Sequence, residues 1–204
     1  MQVRSRLIDS HVPRDPQGVV LLLHGGAARR DPVVSRTQLS VLRMIPIAMR
    51  LAHADRRRLA VFRLLNSARG WDASHTPVDD AHWAMETLQG RFGGLPTCLV
   101  GHSLGGRAAI LAADRPHVRS SVALNSWVHP DDGDIDMSGR PVLVVHGAAD
   151  RVADPRRARA MADRLAKTAD VTFVTVPGGT HAMLGHRREF EEPAARFAVQ
   201  TLLG

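Results

Sequence analysis

Thr97-Cys98-Leu99-Val100-Gly101-His102-Ser103-Leu104-Gly105-Gly106-Arg107 decides how the chain is read. A short apolar run breaks into a serine flanked by glycines and then into a helical pattern. Strand, sharp turn and helix are expected in that order, with Ser103 at the apex. A residue at such an apex is held in a strained backbone conformation that only small neighbours tolerate. Gly101 and Gly105 supply the room, and Gly106 lets the helix pack close to the strand. The turn holds the hydroxyl out of the sheet, where a base can reach it. A G-x-S-x-G pentapeptide alone also describes a glycine-rich turn at a strand end, so its meaning rests on what flanks it.

Working outward, apolar runs alternate with amphipathic stretches, the pattern of an α/β sheet. Strands are expected at 19–23, 59–65, 120–124, 141–145 and 171–176, with a short edge strand at 4–8. The run Val19-Val20-Leu21-Leu22-Leu23 is continuous, as for a strand buried on both faces. Helical spacing covers 36–54, where Pro46 is expected to kink or split the helix, then 78–92, 104–113 and 155–166. A last helix, 189–203, carries Pro193 near or inside its first turn.

Three further loops follow predicted strands and carry polar or small residues: His24-Gly25-Gly26-Ala27, His146-Gly147-Ala148-Ala149-Asp150 and Pro177-Gly178-Gly179-Thr180-His181. In a parallel sheet they share the carboxyl edge with Ser103, where open α/β sheets bind ligands. A serine hydroxyl is a weak nucleophile, so a base must take its proton and return it to the leaving group. His181 follows the final strand and is the candidate base; Asp150 is the candidate acid that orients it. His24 and His102 read as structural histidines bonding to loop backbone, while His75, His129 and His146 stay open as rivals. Asp154 precedes Pro155 and reads as a helix N-cap. The Leu104 N–H, at the start of the elbow helix, and a second N–H from the HGG loop are candidates for holding an oxyanion. Gly26 is the first choice for that second donor and Ala27 the second. Trp71, in the 66–77 loop, either walls a substrate pocket or anchors the loop by packing; Trp127 follows the 120–124 strand and is a second candidate wall.

With elbow, HGG loop, HG-x-x-D turn and GGTH loop in this order, the chain from about 19 to 203 resembles the α/β-hydrolase superfamily. It is most similar to small, cap-poor members: bacterial carboxylesterases, acyl-protein-thioesterase-like enzymes and dienelactone-hydrolase-like proteins. The resemblance implies a mostly parallel, doubly wound sheet with helices on both faces, the catalytic order Ser103, Asp150, His181, and hydrolysis through an acyl-serine intermediate. The serine argues against the cysteine of dienelactone hydrolases proper and against the aspartate nucleophile of haloalkane dehalogenases and epoxide hydrolases. The segment 125–139, where larger relatives carry a helical cap, is short, so a minimal or absent lid is expected. Few strands precede 19, so the first part of the sheet is expected to be reduced.

Composition bounds the alternatives. A chain of 204 residues, 44% hydrophobic and 4% aromatic, suits one domain, 1–204, with a substantial core. Its one cysteine, Cys98, cannot form an intramolecular disulfide and reads as a small buried hydrophobe. Residues 1–17 carry charge throughout and lack an apolar core of signal-peptide length; the expectation is a soluble cytoplasmic protein. The net charge of +7 comes from arginines, Lys167 being the only lysine. These arginines are scattered among aspartates with no nucleic-acid module or aromatic stacking platform, so neither nucleic acid nor membrane is expected as a partner. No metal-ligand spacing, phosphate loop or dinucleotide fingerprint appears, and no cofactor is expected. The leading reading is a serine esterase acting on a small or medium acyl ester. A thioesterase or acyltransferase with the same triad is the nearest alternative, and a non-catalytic binding protein on a hydrolase scaffold is the alternative from another class. Substrate identity and oligomeric state are not encoded in these motifs.

Overall fold

In the computed structural model, which describes residues 5–26, 34–68, 70–71 and 75–204, the apolar runs pair into one seven-stranded sheet. Its strands are β1 (Arg6–His11), β2 (Gly18–Leu23), β3 (Leu59–Leu65), β4 (Thr97–His102), β5 (Val118–Leu124), β6 (Val142–Gly147) and β7 (Val171–Val176). They lie in the order β1-β3-β2-β4-β5-β6-β7. β1 pairs antiparallel to β3; every other pair is parallel. β2, β4 and β6 are buried along their whole length, which accounts for their unbroken apolar runs. β1 is polar and half-buried, as suits an edge.

Successive strand residues point to opposite faces, so a sheet apolar on both sides needs two covers. Val19, Leu21 and Leu23 face a layer containing α3 (Thr76–Phe92), α4 (Leu104–Leu111) and α5 (Pro155–Leu165), packing with Ala81, Met85, Leu88, Ala108 and Met161. Val20 and Leu22 face α2 (Met44–Ala54) and α6 (Arg187–Leu203), packing with Met44, Ile47, Leu51, Phe190 and Ala198. Each such large side chain contributes about 1.5–3 kcal/mol on burial. The expectation of a mostly parallel, doubly wound sheet is therefore borne out. Cys98 lies in the second cluster, and burial pushes its thiol up to about 12, so it stays protonated and inert.

Several boundaries differ from the sequence reading for local reasons. The 36–54 helix is split, but at Arg43: α1 (Leu39–Leu42) ends there, and Pro46 falls in the first turn of α2. That turn tolerates proline because its N–H groups have no intrahelical acceptor. α6 starts two residues earlier than expected, which moves Pro193 into its second turn and leaves the Glu189 carbonyl without its helical donor. The edge strand runs from Arg6 to His11 with an irregularity between Asp9 and His11, while Arg4 lies outside the described residues.

The connection between β5 and β6 carries only a 3₁₀ turn, Pro130–Asp134. It is fastened to the flank of α5: Arg164 pairs with Asp131 and, at 2.9 Å, with Asp134. A Cβ on Gly133 would stand 2.3 Å from the Met161 carbonyl oxygen. The segment is held down against the helix layer, in keeping with a minimal lid. Among the described residues no helix is long and apolar enough to cross a membrane.

Candidate active site

Because β2 and β4 to β7 are parallel, the loops leaving their carboxyl ends meet at one edge. The elbow is the tightest of them. Ser103 has φ 58° and ψ −124°, a conformation that costs a non-glycine residue about 1–3 kcal/mol and persists only where its surroundings enforce it. A Cβ on Gly101 would lie 2.0 Å from the Gly105 carbonyl oxygen, and one on Gly105 would lie 2.1 Å from that of Leu23. Gly105 thus brings α4 against the sheet, at β2. Gly106 mainly clears Ser126, whose Cβ would stand 2.7 Å from a side chain there. Gly106 also packs on the strand, a Cβ there standing 3.2 Å from the Gly101 carbonyl oxygen, so Gly105 and Gly106 share the close approach of α4 to the sheet.

The structure brings Ser103, His181 and Asp150 together. Ser103 Oγ lies 3.1 Å from His181 Nε2, and His181 Nδ1 lies 2.8 Å from Asp150 Oδ2. The carboxylate can only accept, so Nδ1 carries the proton and Nε2 is left as the acceptor for the serine hydroxyl. The other carboxylate oxygen accepts the N–H groups of Val152 (2.8 Å) and Ala153 (2.9 Å). Burial alone would raise the carboxyl of Asp150. The hydrogen bonds from His146, His181, Ala153 and Val152 outweigh burial and hold it well below the usual carboxylate range.

The rival groups fall elsewhere. His146 is buried behind the acid, its Nε2 3.1 Å from the Ala153 carbonyl and 3.5 Å from Asp150 Oδ2. His24 bonds loop backbone on both sides: Nδ1 donates to the Gly25 carbonyl at 2.5 Å and Nε2 accepts the N–H of Asn66, just after β3. Burial lowers its tendency to protonate. His102 Nε2 donates to the His181 carbonyl at 2.9 Å; burial first, then the adjacent His181, lowers it to about 3, so it is neutral. His75 and His129 stand edge-on to Trp71 and Trp127. Asp154 caps α5 through the Arg156 N–H. Among the described residues no group of three or more His, Cys, Asp or Glu side chains is arranged to hold a metal ion.

As the first residue of α4, Leu104 has an N–H with no intrahelical acceptor, at the positive end of the helix dipole beside Ser103. The HGG loop lies against the serine: a Cβ on Gly25 would stand 3.0 Å from Ser103 Cβ and 3.5 Å from Oγ. Gly26 follows as an exposed residue, while Ala27 lies outside the described residues. Trp127 donates its backbone N–H to the Ser103 carbonyl at 3.1 Å. Trp71 lies 4.4 Å from the guanidinium of Arg107, which makes a two-pronged pair with the buried Asp132 at 2.8 and 2.9 Å. Sequence reasoning missed Arg107, Asp132 and Asn125, and kept His146 open as a rival base where the structure sets it behind the acid. Only Asn125 left a signal, as a polar residue directly after a buried central strand.

The family model for the alpha/beta hydrolase family matches residues 90–191, half of the chain, spanning the elbow, the acid turn and the His181 loop. The structure is similar to Est1E from Butyrivibrio proteoclasticus, solved with ferulic acid bound (15% identity, TM-score 0.72, covering 98% of this chain and 96% of that one). It is also similar to the monoacylglycerol lipase of Paleococcus ferrophilus (17% identity, TM-score 0.69, covering 98% and 100%). A third similar structure is XC6422 from Xanthomonas campestris, described as an α/β serine hydrolase without a lid (20% identity, TM-score 0.66, covering 96% and 87%). A search of curated proteins finds no match. Elbow, strand order and family match agree, and the chain belongs to the alpha/beta hydrolase family.

Proposed function

We propose that this protein is a serine hydrolase that cleaves small or medium acyl esters through an acyl-serine intermediate. The observation that carries the reading is the unbroken line of hydrogen bonds from Ser103 Oγ through the imidazole of His181 to Asp150. Ser103 Oγ attacks the ester carbonyl carbon while His181 Nε2 takes its proton, and Asp150 stabilises the imidazolium that forms. The tetrahedral oxyanion is held by the N–H groups of Leu104 and Gly26, with Ala27 as the second choice for the HGG donor. One such donor is worth roughly 3 kcal/mol of barrier. When the tetrahedral adduct collapses, the C–O bond to the alcohol breaks and His181 returns the proton to the departing oxygen. Water then loses a proton to His181 as its oxygen attacks the acyl carbon; collapse breaks the bond to Ser103 Oγ, which takes the proton back from His181, and the acid leaves.

Trp127 and Trp71 are the walls of the substrate pocket in this reading. The amide of Trp127 is bonded to the serine carbonyl. Arg107, on which Trp71 rests, stands one turn beyond Ser103 on α4, and helical side chains lean back over the preceding turn. The substrate is a small molecule, and its ester chemistry is supported by the structural neighbour described as a monoacylglycerol lipase.

A fluorophosphonate probe followed by mass spectrometry tests the proposal. Stoichiometric labelling at Ser103, lost in both Ser103→Ala and His181→Ala, is the expected result. A folded wild-type protein that resists the probe refutes an activated serine and turns attention to the binding-protein reading.

A further inference from the structure

The strand order creates a problem that the proposed triad must solve. The nucleophile leaves β4 and the base leaves β7, with β5 and β6 between them. At about 4.8 Å per strand, the His181 loop has to reach back across roughly 14 Å of sheet edge to bring its imidazole to Ser103. A loop crossing that distance needs support from below, and the support has to come from the end of β5 or β6.

Asn125 stands at that place. It follows Leu124, the last residue of β5, between the strand that carries the nucleophile and the strand that carries the acid. It is fully buried and has φ 41°, in the left-handed region that asparagine enters more readily than most side chains. Its own N–H donates to the Val145 carbonyl of β6 at 2.9 Å. Its side-chain Oδ1 accepts the Gly147 N–H at 2.7 Å, three residues before Asp150. Its Nδ2 donates to the carbonyl oxygens of Thr180 (2.9 Å) and His181 (3.4 Å). One amide group thus touches the acid loop with its oxygen and the base loop with its nitrogen. The partners fix its orientation, because the reverse would set an N–H₂ against an N–H and an oxygen against two carbonyls.

The His181 carbonyl is a point of convergence. Besides Asn125 it accepts from His102 Nε2 at 2.9 Å and faces Arg43 Nη1 at 3.5 Å; Arg43 donates chiefly to the next carbonyl, that of Ala182. Among the described residues His102 Nδ1 has no partner, and the ring is neutral, so its single N–H is committed to this carbonyl. Of these donors, Asn125 alone also reaches the acid loop.

We infer that Asn125 is a positioning residue of the reaction, whose side-chain amide fixes the His181 loop to the Asp150 loop and so sets the imidazole at the serine hydroxyl. The inference rests on the proposed triad. It explains why a non-glycine residue with a polar side chain occupies a buried left-handed position: glycine would satisfy the backbone, and only an amide of this length offers an acceptor to one loop and donors to the other. Aspartate would keep the acceptor for Gly147 and turn a negative oxygen toward two carbonyls.

The test uses the full-length protein and two variants. Asn125→Gly relieves the backbone and removes the bridge; Asn125→Asp keeps the size and removes both donors. In each, kcat for a p-nitrophenyl ester is expected to fall ~100-fold, the cost of a small misplacement of a catalytic group. KM should stay unchanged, and the rate of fluorophosphonate labelling of Ser103 per folded molecule should fall in step with kcat. The low-field proton NMR signal of His181 Nδ1–H should shift or broaden. A purely structural role moves none of these once rates are corrected for the folded fraction. If Asn125→Gly fails to fold, Asn125→Asp decides. Wild-type kcat and labelling rate in a folded variant overturn the inference and leave the triad standing, whereas an unlabelled wild-type protein removes the triad and the inference with it.

Discussion

Asp150 and Asp132 are both buried carboxylates, 6% and 7% exposed, and they are held in opposite ways. Asp132 meets a permanent cation: Arg107 grips both its oxygens at 2.8 and 2.9 Å, and the His129 N–H adds a bond at 2.8 Å. Among the described residues, Asp150 meets no guanidinium. Two backbone N–H groups, His181 and His146 surround it, and together they hold its proton affinity low despite burial. The Asp132 charge is cancelled in place and serves to fasten the β5–β6 connection to α4, with Trp71 stacked on the same guanidinium. The Asp150 charge is stabilised by dipoles that leave its field directed at the imidazole. A protein can bury a carboxylate for architecture or for chemistry, and the partner it supplies tells which.

The same substitution at the two sites separates these uses. Asp150→Asn should reduce kcat by about 10⁴-fold, since the amide favours the wrong imidazole tautomer. No buried cation is stranded, so a steady-state assay beside a thermal melt should find the activity loss far out of proportion to any loss of fold. Asp132→Asn leaves the half-buried guanidinium of Arg107 without its carboxylate, which costs about 1.5–3 kcal/mol of stability. Denaturant titration should show that loss while Ser103 in the folded fraction is labelled as in the wild type; the reverse pattern would erase the contrast between the two carboxylates. The smallest effect concerns pH. In the unfolded chain His102 takes up a proton near its ordinary value of 6.5, whereas in the folded protein it stays neutral down to about 3. Between these values the unfolded state binds more protons, so stability falls as pH falls, by about 1.4 kcal/mol per pH unit for this group. Measured from pH 6.5 to 5, His102→Gln should flatten the slope by that amount, and an unchanged slope would mean that His102 is already protonated in the native state.

The elements that decide the fold were legible because each writes its requirement into contiguous residues. β2, β4 and β6 are apolar on both faces and therefore read as unbroken runs; the elbow needs glycines at fixed offsets from Ser103. Ser103 and Asp150 could be singled out because each follows such a run, and His181 because it follows the last strand. What escaped depends on which strands are neighbours. Asn125 takes its meaning from lying between β4 and β6, and the Arg107–Asp132 pair spans α4 and the β5–β6 connection. Neither relation exists in the sequence until the strands are ordered. The misplaced details are similar in kind: Pro46 reads as a helix breaker and Pro193 as a first-turn residue, but the effect of each depends on where the helix starts, at Met44 and at Arg187.

The glycines of the acid and base loops carry a consequence for altering this molecule. A Cβ on Gly147 would stand 2.2 Å from the Gly179 carbonyl oxygen, and that same oxygen accepts the Ala149 N–H at 2.9 Å. The two loops are in backbone contact, so an insertion or graft in one displaces the other and carries both acid and base away from the serine. The acid and base loops therefore have to be transplanted together or left alone.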